Sequence, residues 1–142
     1  MKKIIKSLII LFSLLSISLY SQTRIILDTD FGSDADDLGA LTMLNYFIEK
    51  GECNLLGIMC WSTEKYAVSA IDAVNRYYKH PNIPIGVRKD QPNLTDWNYS
   101  KSLADRFDHQ LNFEIVPDAT VLYRKILAES PDKSIVIVTI GP

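Results

Sequence analysis

The sequence contains only two cysteines, Cys53 and Cys60, so it can form one disulfide bond at most. Export from the cell would permit such a bond. Cys53 precedes a predicted strand, and Cys60 lies at the end of that strand. Because a strand rises ~3.3 Å per residue, the two sulfur atoms would lie too far apart to join. We therefore predict two free, buried thiols.

The chain also lacks an excess of positive charge. It carries 15 basic and 17 acidic residues, which gives a formal net charge of −2. This balance offers no basic patch for nucleic acid, so we expect no nucleic-acid partner. The 142 residues fit one domain, and the apolar content of 47% is that of an ordinary globular protein. No repeat or low-complexity tract is present.

The chain has no apolar run long enough to span a bilayer. The N-terminal run at residues 8–19 is too short, and three lysines precede it. This pattern predicts a secretory signal peptide at residues 1–22 and an exported domain, periplasmic or secreted, at residues 23–142. An uncleaved membrane anchor is the alternative. A lipid anchor is not expected, because no cysteine lies near the cleavage region.

Alternating strand and helix patterns follow the signal peptide. Short apolar, β-branched runs predict strands, and apolar residues at spacings of three and four predict helices. The predicted strands cover residues 25–27, 55–59, 83–87 and 134–140, and the predicted helices begin near Leu38, Tyr66 and Pro117. Residues 88–116 are predicted to be irregular. This order predicts an α/β fold with an open, mostly parallel Rossmann-like sheet flanked by helices.

Five aspartates crowd the turn between the first strand and the first helix: Asp28, Asp30, Asp34, Asp36 and Asp37. Carboxylates packed this tightly repel one another, and protons or a cation must offset that cost. Hard oxygen ligands at this density suit Ca²⁺ or Mg²⁺.

The turn lies at the carboxyl end of its strand, where parallel sheets bind ligands. The loops at residues 61–64 and 141–142 follow the carboxyl ends of two other strands, so the three loops should meet. A divalent cation there would acidify a bound water, and a free aspartate would take its proton, which is a hydrolase arrangement. The alternative is a solvated acidic loop at a helix N-terminus.

The stretch Asp28-Thr-Asp-Phe-Gly-Ser-Asp-Ala-Asp-Asp-Leu-Gly-Ala-Leu41 resembles the N-terminal signature of the inosine–uridine-preferring nucleoside hydrolases, Asp-x-Asp-Pro-Gly-x-Asp-Asp-Ala-x-Ala. Residues 72–78, 82–86 and 134–142 are similar to that family's second helix, third strand and a later strand that continues as Gly-Pro. The resemblance implies calcium-dependent hydrolysis of the N-glycosidic bond of ribonucleosides, which gives free base and ribose. A homo-oligomer is left open.

The resemblance also implies roles for individual residues. Asp30 and Asp37 match the two N-terminal calcium ligands, and Ile140 lies where the family supplies a backbone carbonyl to the calcium. Asp36 matches the aspartate that activates the attacking water. Because two extra residues separate Gly32 from the Asp36–Asp37 pair, Asp34 is the alternative for that role.

Two further residues receive weaker roles from the resemblance. Asp28 matches a supporting residue at the end of the strand, and Ser62 stands in the loop where the family has asparagine. The apolar run at residues 134–140 predicts a central strand, covered on both faces. We therefore expect the sequence to be an N-terminal fragment that is inactive alone, with the family's C-terminal His-Asp pair outside it.

Two other functions fit parts of the same pattern. A phosphatase of the haloacid dehalogenase type also begins with a strand and Asp-x-Asp, with Asp28 as nucleophile and Asp30 as acid. An exported calcium-binding module without catalysis is the second alternative. An EF-hand is excluded, because a loop begun at Asp28 has Ser33 where glycine is required and Gly39 where glutamate is required.

Overall fold

The computed structural model describes residues 22–32, 34–90 and 98–141. The predicted signal peptide lies outside these ranges except for Gln22. Within these ranges, no helix combines the length and the apolar character needed to cross a membrane.

Strands and helices alternate along the described chain. The elements are β1 Thr23–Thr29, α1 Asp36–Glu49, β2 Cys53–Cys60, α2 Ala67–Tyr77, β3 Ile85–Val87, α3 Asn98–Arg106, α4 Ala119–Ala128 and β4 Val136–Thr139. Every predicted strand and helix is present, with small shifts at the ends.

Helix α3 was not predicted, and the assignment of residues 88–116 as irregular is wrong at this point. The helix is short and polar, so its sequence carries little apolar periodicity. Tyr99 and Leu103, four residues apart, pack against the main core. Tertiary packing of this narrow apolar stripe stabilises a helix whose own propensity is weak.

The four strands form one parallel sheet in the order β3–β2–β1–β4. Strand β1 therefore lies inside the sheet, with Asp28 beside Met59 of β2 and Thr139 of β4. The predicted α/β class with a parallel sheet and flanking helices is confirmed. The sheet order places the carboxyl end of β1 between two neighbouring strand ends.

Successive residues of β1 point to opposite faces of the sheet. Ile25 and Leu27 join the main core with residues of α1 and α2, whereas Ile26 packs in a smaller cluster with Leu122 of α4. By the same alternation, Thr29 faces α1, and Asp28 faces α4. The two faces of the strand thus lead to different surroundings at its carboxyl end.

Strand β4 lies at an edge of the sheet, so the second neighbour that its apolar run predicts is not present among the described residues. Among the described residues it pairs with β1 alone. Val136 and Ile137, on opposite faces of the sheet, are 50% and 45% exposed. An apolar run reaches the burial of a central strand only when a second neighbour and helices on both faces cover it.

Two local features define helix ends, and the prediction of two free, buried thiols is confirmed. Gly51 follows the end of α1 with a φ of +71°, a backbone angle that glycine adopts readily. The Asp118 side chain accepts hydrogen bonds from the amides of Thr120 and Val121 and so caps α4. Cys53 and Cys60 lie at opposite ends of β2, and both are free and buried.

Candidate metal centre at the carboxyl end of β1

The loops after β1, β2 and β4 meet as predicted. The Trp61 amide donates to the Thr29 carbonyl at 2.7 Å, and the Ile140 amide donates to the Asp28 carbonyl at 2.9 Å. Gly141 packs so closely that an added Cβ would lie 3.3 Å from the Asp30 nitrogen. Three chain segments are thereby fixed around the aspartates.

A tight turn connects β1 to α1. Phe31 is fully buried, and Gly32 has a φ of +125°, which side-chain-bearing residues rarely adopt. The turn places Asp36 and Asp37 in the first turn of α1, where the helix dipole favours negative charge. The buried phenyl ring anchors the start of this turn in the core.

Asp37 is the most deeply placed aspartate of the group. It is only 1% exposed, although it is ionisable. The Thr29 hydroxyl donates a hydrogen bond of 2.5 Å to Oδ1 of Asp37. The second oxygen, Oδ2, is buried and has no hydrogen-bond partner among the described residues. A buried carboxylate oxygen without a partner is costly unless a proton or a cation occupies the adjacent space.

Asp34 and Asp36 complete a group of three carboxylates. One oxygen from each of Asp34, Asp36 and Asp37 lies within 4.8 Å of the others, and these are the residues of the described chain that could jointly hold a metal ion. Asp34 and Asp36 are exposed, whereas Asp37 forms the floor. The group is therefore open to solvent on one side and closed on the other.

The surroundings of Asp37 and Asp36 shift the pKa values of these two carboxyl groups in opposite directions. Burial raises the pKa of Asp37 to about 6, and the charges of Asp30, Asp36 and Asp34 add to the rise, while the Thr29 hydrogen bond opposes it. A hydrogen bond from the Asp34 side chain, followed by one from the Asp37 amide, lowers the pKa of Asp36. The hydrogen bond couples Asp34 to Asp36, so the two carboxyl groups act as a pair.

Asp30 and Asp28 border the group without belonging to it. Asp30 is half-buried, and its charge contributes to the raised pKa of both Asp37 and Asp28. Burial is the main cause of the rise at Asp28. Asp28 lines a separate cleft of about 370 Å³ on the α4 side of the sheet, together with Trp61 and Arg88.

Ile140 and Ser62 occupy different surroundings. The Ile140 amide is bonded to Asp28, so its peptide lies beside the strand end that carries Asp30. Ser62 is buried, and its hydroxyl oxygen accepts a hydrogen bond from the Glu64 amide at 3.1 Å. This bond ties Ser62 to its own loop.

Sequence reasoning missed three residues near the centre. Thr29 follows Asp28 in β1. Because successive strand residues point to opposite faces of the sheet, the sequence could have shown that Thr29 faces α1. Glu64 is fully buried. Its charge, like those of Asp37 and Asp30, adds to the rise that burial causes in the pKa of the Cys60 thiol. Tyr99 comes from α3, for which the sequence gave little signal.

The comparisons with known proteins assign no family. The chain matches no protein-family model. It also matches no curated protein sequence. The function is therefore argued from the chemistry of the site and from the resemblance of the stretch at residues 28–41.

Proposed function

We propose that the protein is a calcium-dependent hydrolase that cleaves the N-glycosidic bond of ribonucleosides and releases free base and ribose. The observation that carries the proposal is the Asp37 carboxylate, buried with Oδ2 unpartnered beside two further carboxylates. This oxygen lies at the carboxyl end of a parallel sheet and accepts no hydrogen bond from the residues that the structure describes. A divalent cation would supply it with a partner.

The donor set fits a hard cation. Asp37 is the buried ligand that the geometry supports, and the resemblance adds Asp30 and the Ile140 carbonyl as the other oxygen ligands. Oxygen-only ligands favour Ca²⁺ or Mg²⁺, and the resemblance favours Ca²⁺. When bound, the ion would acidify a water molecule and orient ribose hydroxyls.

Residues of the chain would accept the proton from water and position the metal ligand. Asp36 is exposed and ionised at neutral pH, and the resemblance assigns it the role of accepting a proton from water. Asp34 is its hydrogen-bonded neighbour and remains the alternative base. Thr29 holds Asp37 by the bond to Oδ1, which fixes the direction of Oδ2.

Export is part of the same proposal. It rests on the charged and apolar pattern of residues 1–22, which resembles a signal peptide. An exported enzyme of this kind would act on nucleosides outside the cytoplasm.

The proposal is tested on the full-length protein, because the 142 residues alone are expected to be inactive. Release of base and ribose is measured for a panel of purine and pyrimidine nucleosides, with calcium and with a chelator. We expect turnover that calcium restores after chelation. The Asp37→Ala variant should lose this dependence, and Met43→Ala, an exposed change on the same helix, should keep it. Calcium binding without turnover would favour a binding module, and a phosphorylated Asp28 would favour a phosphatase.

A further inference from the structure

Two buried polar atoms near the acidic centre lack hydrogen-bond partners. They are Oδ2 of Asp37 and the hydroxyl of Tyr99; the two other such atoms in the described chain belong to Asn75 and Ser100. Leaving a buried polar group unpaired costs about 1–3 kcal/mol, so native proteins keep few of them. A polar occupant of the centre would supply the partner that each of these two atoms lacks.

The placement of Tyr99 supports this interpretation. Its ring packs against Phe31, with 6.1 Å between the ring centroids, and Phe31 belongs to the turn that carries the aspartates. Burial raises the pKa of Tyr99 to about 12, and the charges that add to the rise are those of Asp37, Asp34 and Asp36. The hydroxyl therefore lies in the field of the same three carboxylates and stays protonated at neutral pH.

A protonated phenol among carboxylates can act as a hydrogen-bond donor. No protein atom accepts that bond in the described chain. We infer that Tyr99 is a positioning residue of the acidic centre, whose hydroxyl donates a hydrogen bond to a water molecule held beside the cation on Asp37. This inference rests on the proposed function only in requiring that the centre binds a cation.

A purely structural role for Tyr99 would depend on its ring, which fills space against Phe31. The Tyr99→Phe variant keeps that ring and removes the hydroxyl. Tyr123→Phe is the matched control, because Tyr123 is a partly buried tyrosine of the α4 cluster on the opposite face of the sheet.

The experiment measures calcium affinity by calorimetry and thermal unfolding with and without calcium for the unaltered protein and both variants. Without calcium, Tyr99→Phe should unfold at the same temperature as the unaltered protein or slightly higher, since an unpaired buried hydroxyl has been removed. With calcium, its affinity should fall about fivefold, the effect of one lost hydrogen bond. Tyr123→Phe should keep the original affinity.

The outcomes separate this inference from the proposed function. Unchanged calcium affinity in Tyr99→Phe, with normal binding by the unaltered protein, would overturn the inference alone. Lower stability without calcium and unchanged affinity would do the same, since both would show a structural role. Absence of calcium binding by the unaltered protein would overturn the proposed function and the inference together.

Discussion

Replacing Asp37 by asparagine should change the pH dependence of stability in a defined direction. The substitution keeps the size of the side chain and leaves Oδ1 to accept the Thr29 hydrogen bond. It removes the one titration that burial displaces to about pH 6 in this group. In the presence of a chelator, the effect of the buried charge is isolated from that of any bound cation.

The sign follows from the direction of the displacement. The folded state binds the Asp37 proton more tightly than the unfolded chain does, so the contribution of Asp37 to stability is full below pH 3.8 and is lost as the pH rises through about 6. A pKa of about 6 in place of 3.8 corresponds to about 3 kcal/mol. About 2 kcal/mol of this falls between about pH 4.5 and about pH 7.5.

Urea unfolding across this pH range measures the effect. The stability of Asp37→Asn relative to the unaltered protein should rise by about 2 kcal/mol toward the higher pH. Asp36→Asn is the control, because the pKa of Asp36 is lowered, and its contribution runs in the opposite direction. Parallel stability curves for the unaltered protein and Asp37→Asn would refute the claim that Asp37 is a buried, unneutralised charge.

Three further predictions concern the carboxylate group at the carboxyl end of β1 and the core. In the full-length protein, Asp36→Asn should cut nucleoside turnover about a hundredfold with little loss of calcium affinity. If steady-state kinetics show this for Asp34→Asn instead, the roles of the two residues are reversed. Leu41→Ala should lower the free energy of urea unfolding by about 2–5 kcal/mol because Leu41 is fully buried, whereas Met43→Ala, at an exposed position, should change it by less than about 0.5 kcal/mol. Burial raises the pKa of the Cys60 thiol to about 12, so iodoacetamide should label Cys60 only on unfolding, and rapid labelling of the folded protein would contradict its placement.

Much of the sheet could be predicted because its strands are continuous apolar runs. Ile25, Leu27 and Ile58 fill the buried positions of two neighbouring strands, and no competing pattern overlaps them. The chain order then fixes a parallel sheet, since helices separate the strands. The apolar run at residues 136–139 predicts a strand with two neighbours, and the structure shows one of them, β1.

The sequence predicted where the site lies in the fold, but it did not predict which side chains meet there. Spacing along the chain brings the aspartates to one turn, but it does not show which carboxylates converge. The structure groups Asp34 with Asp36 and Asp37, whereas the sequence resemblance pairs Asp30 with Asp37 as the ligands. Tyr99 could not be found from the sequence, since its contact with Phe31 joins residues far apart in the chain.

Calorimetric titration of calcium into the unaltered protein and the Asp37→Ala variant tests the central claim most directly. The account predicts one calcium ion per unaltered chain, bound more tightly at pH 7.5 than at pH 5, because protons compete for Asp37 around its pKa of about 6. In the Asp37→Ala variant, affinity should fall sharply. Equal calcium binding by the two proteins, or the absence of calcium binding by the unaltered protein at pH 7.5, would contradict the assignment of this acidic group as a metal centre.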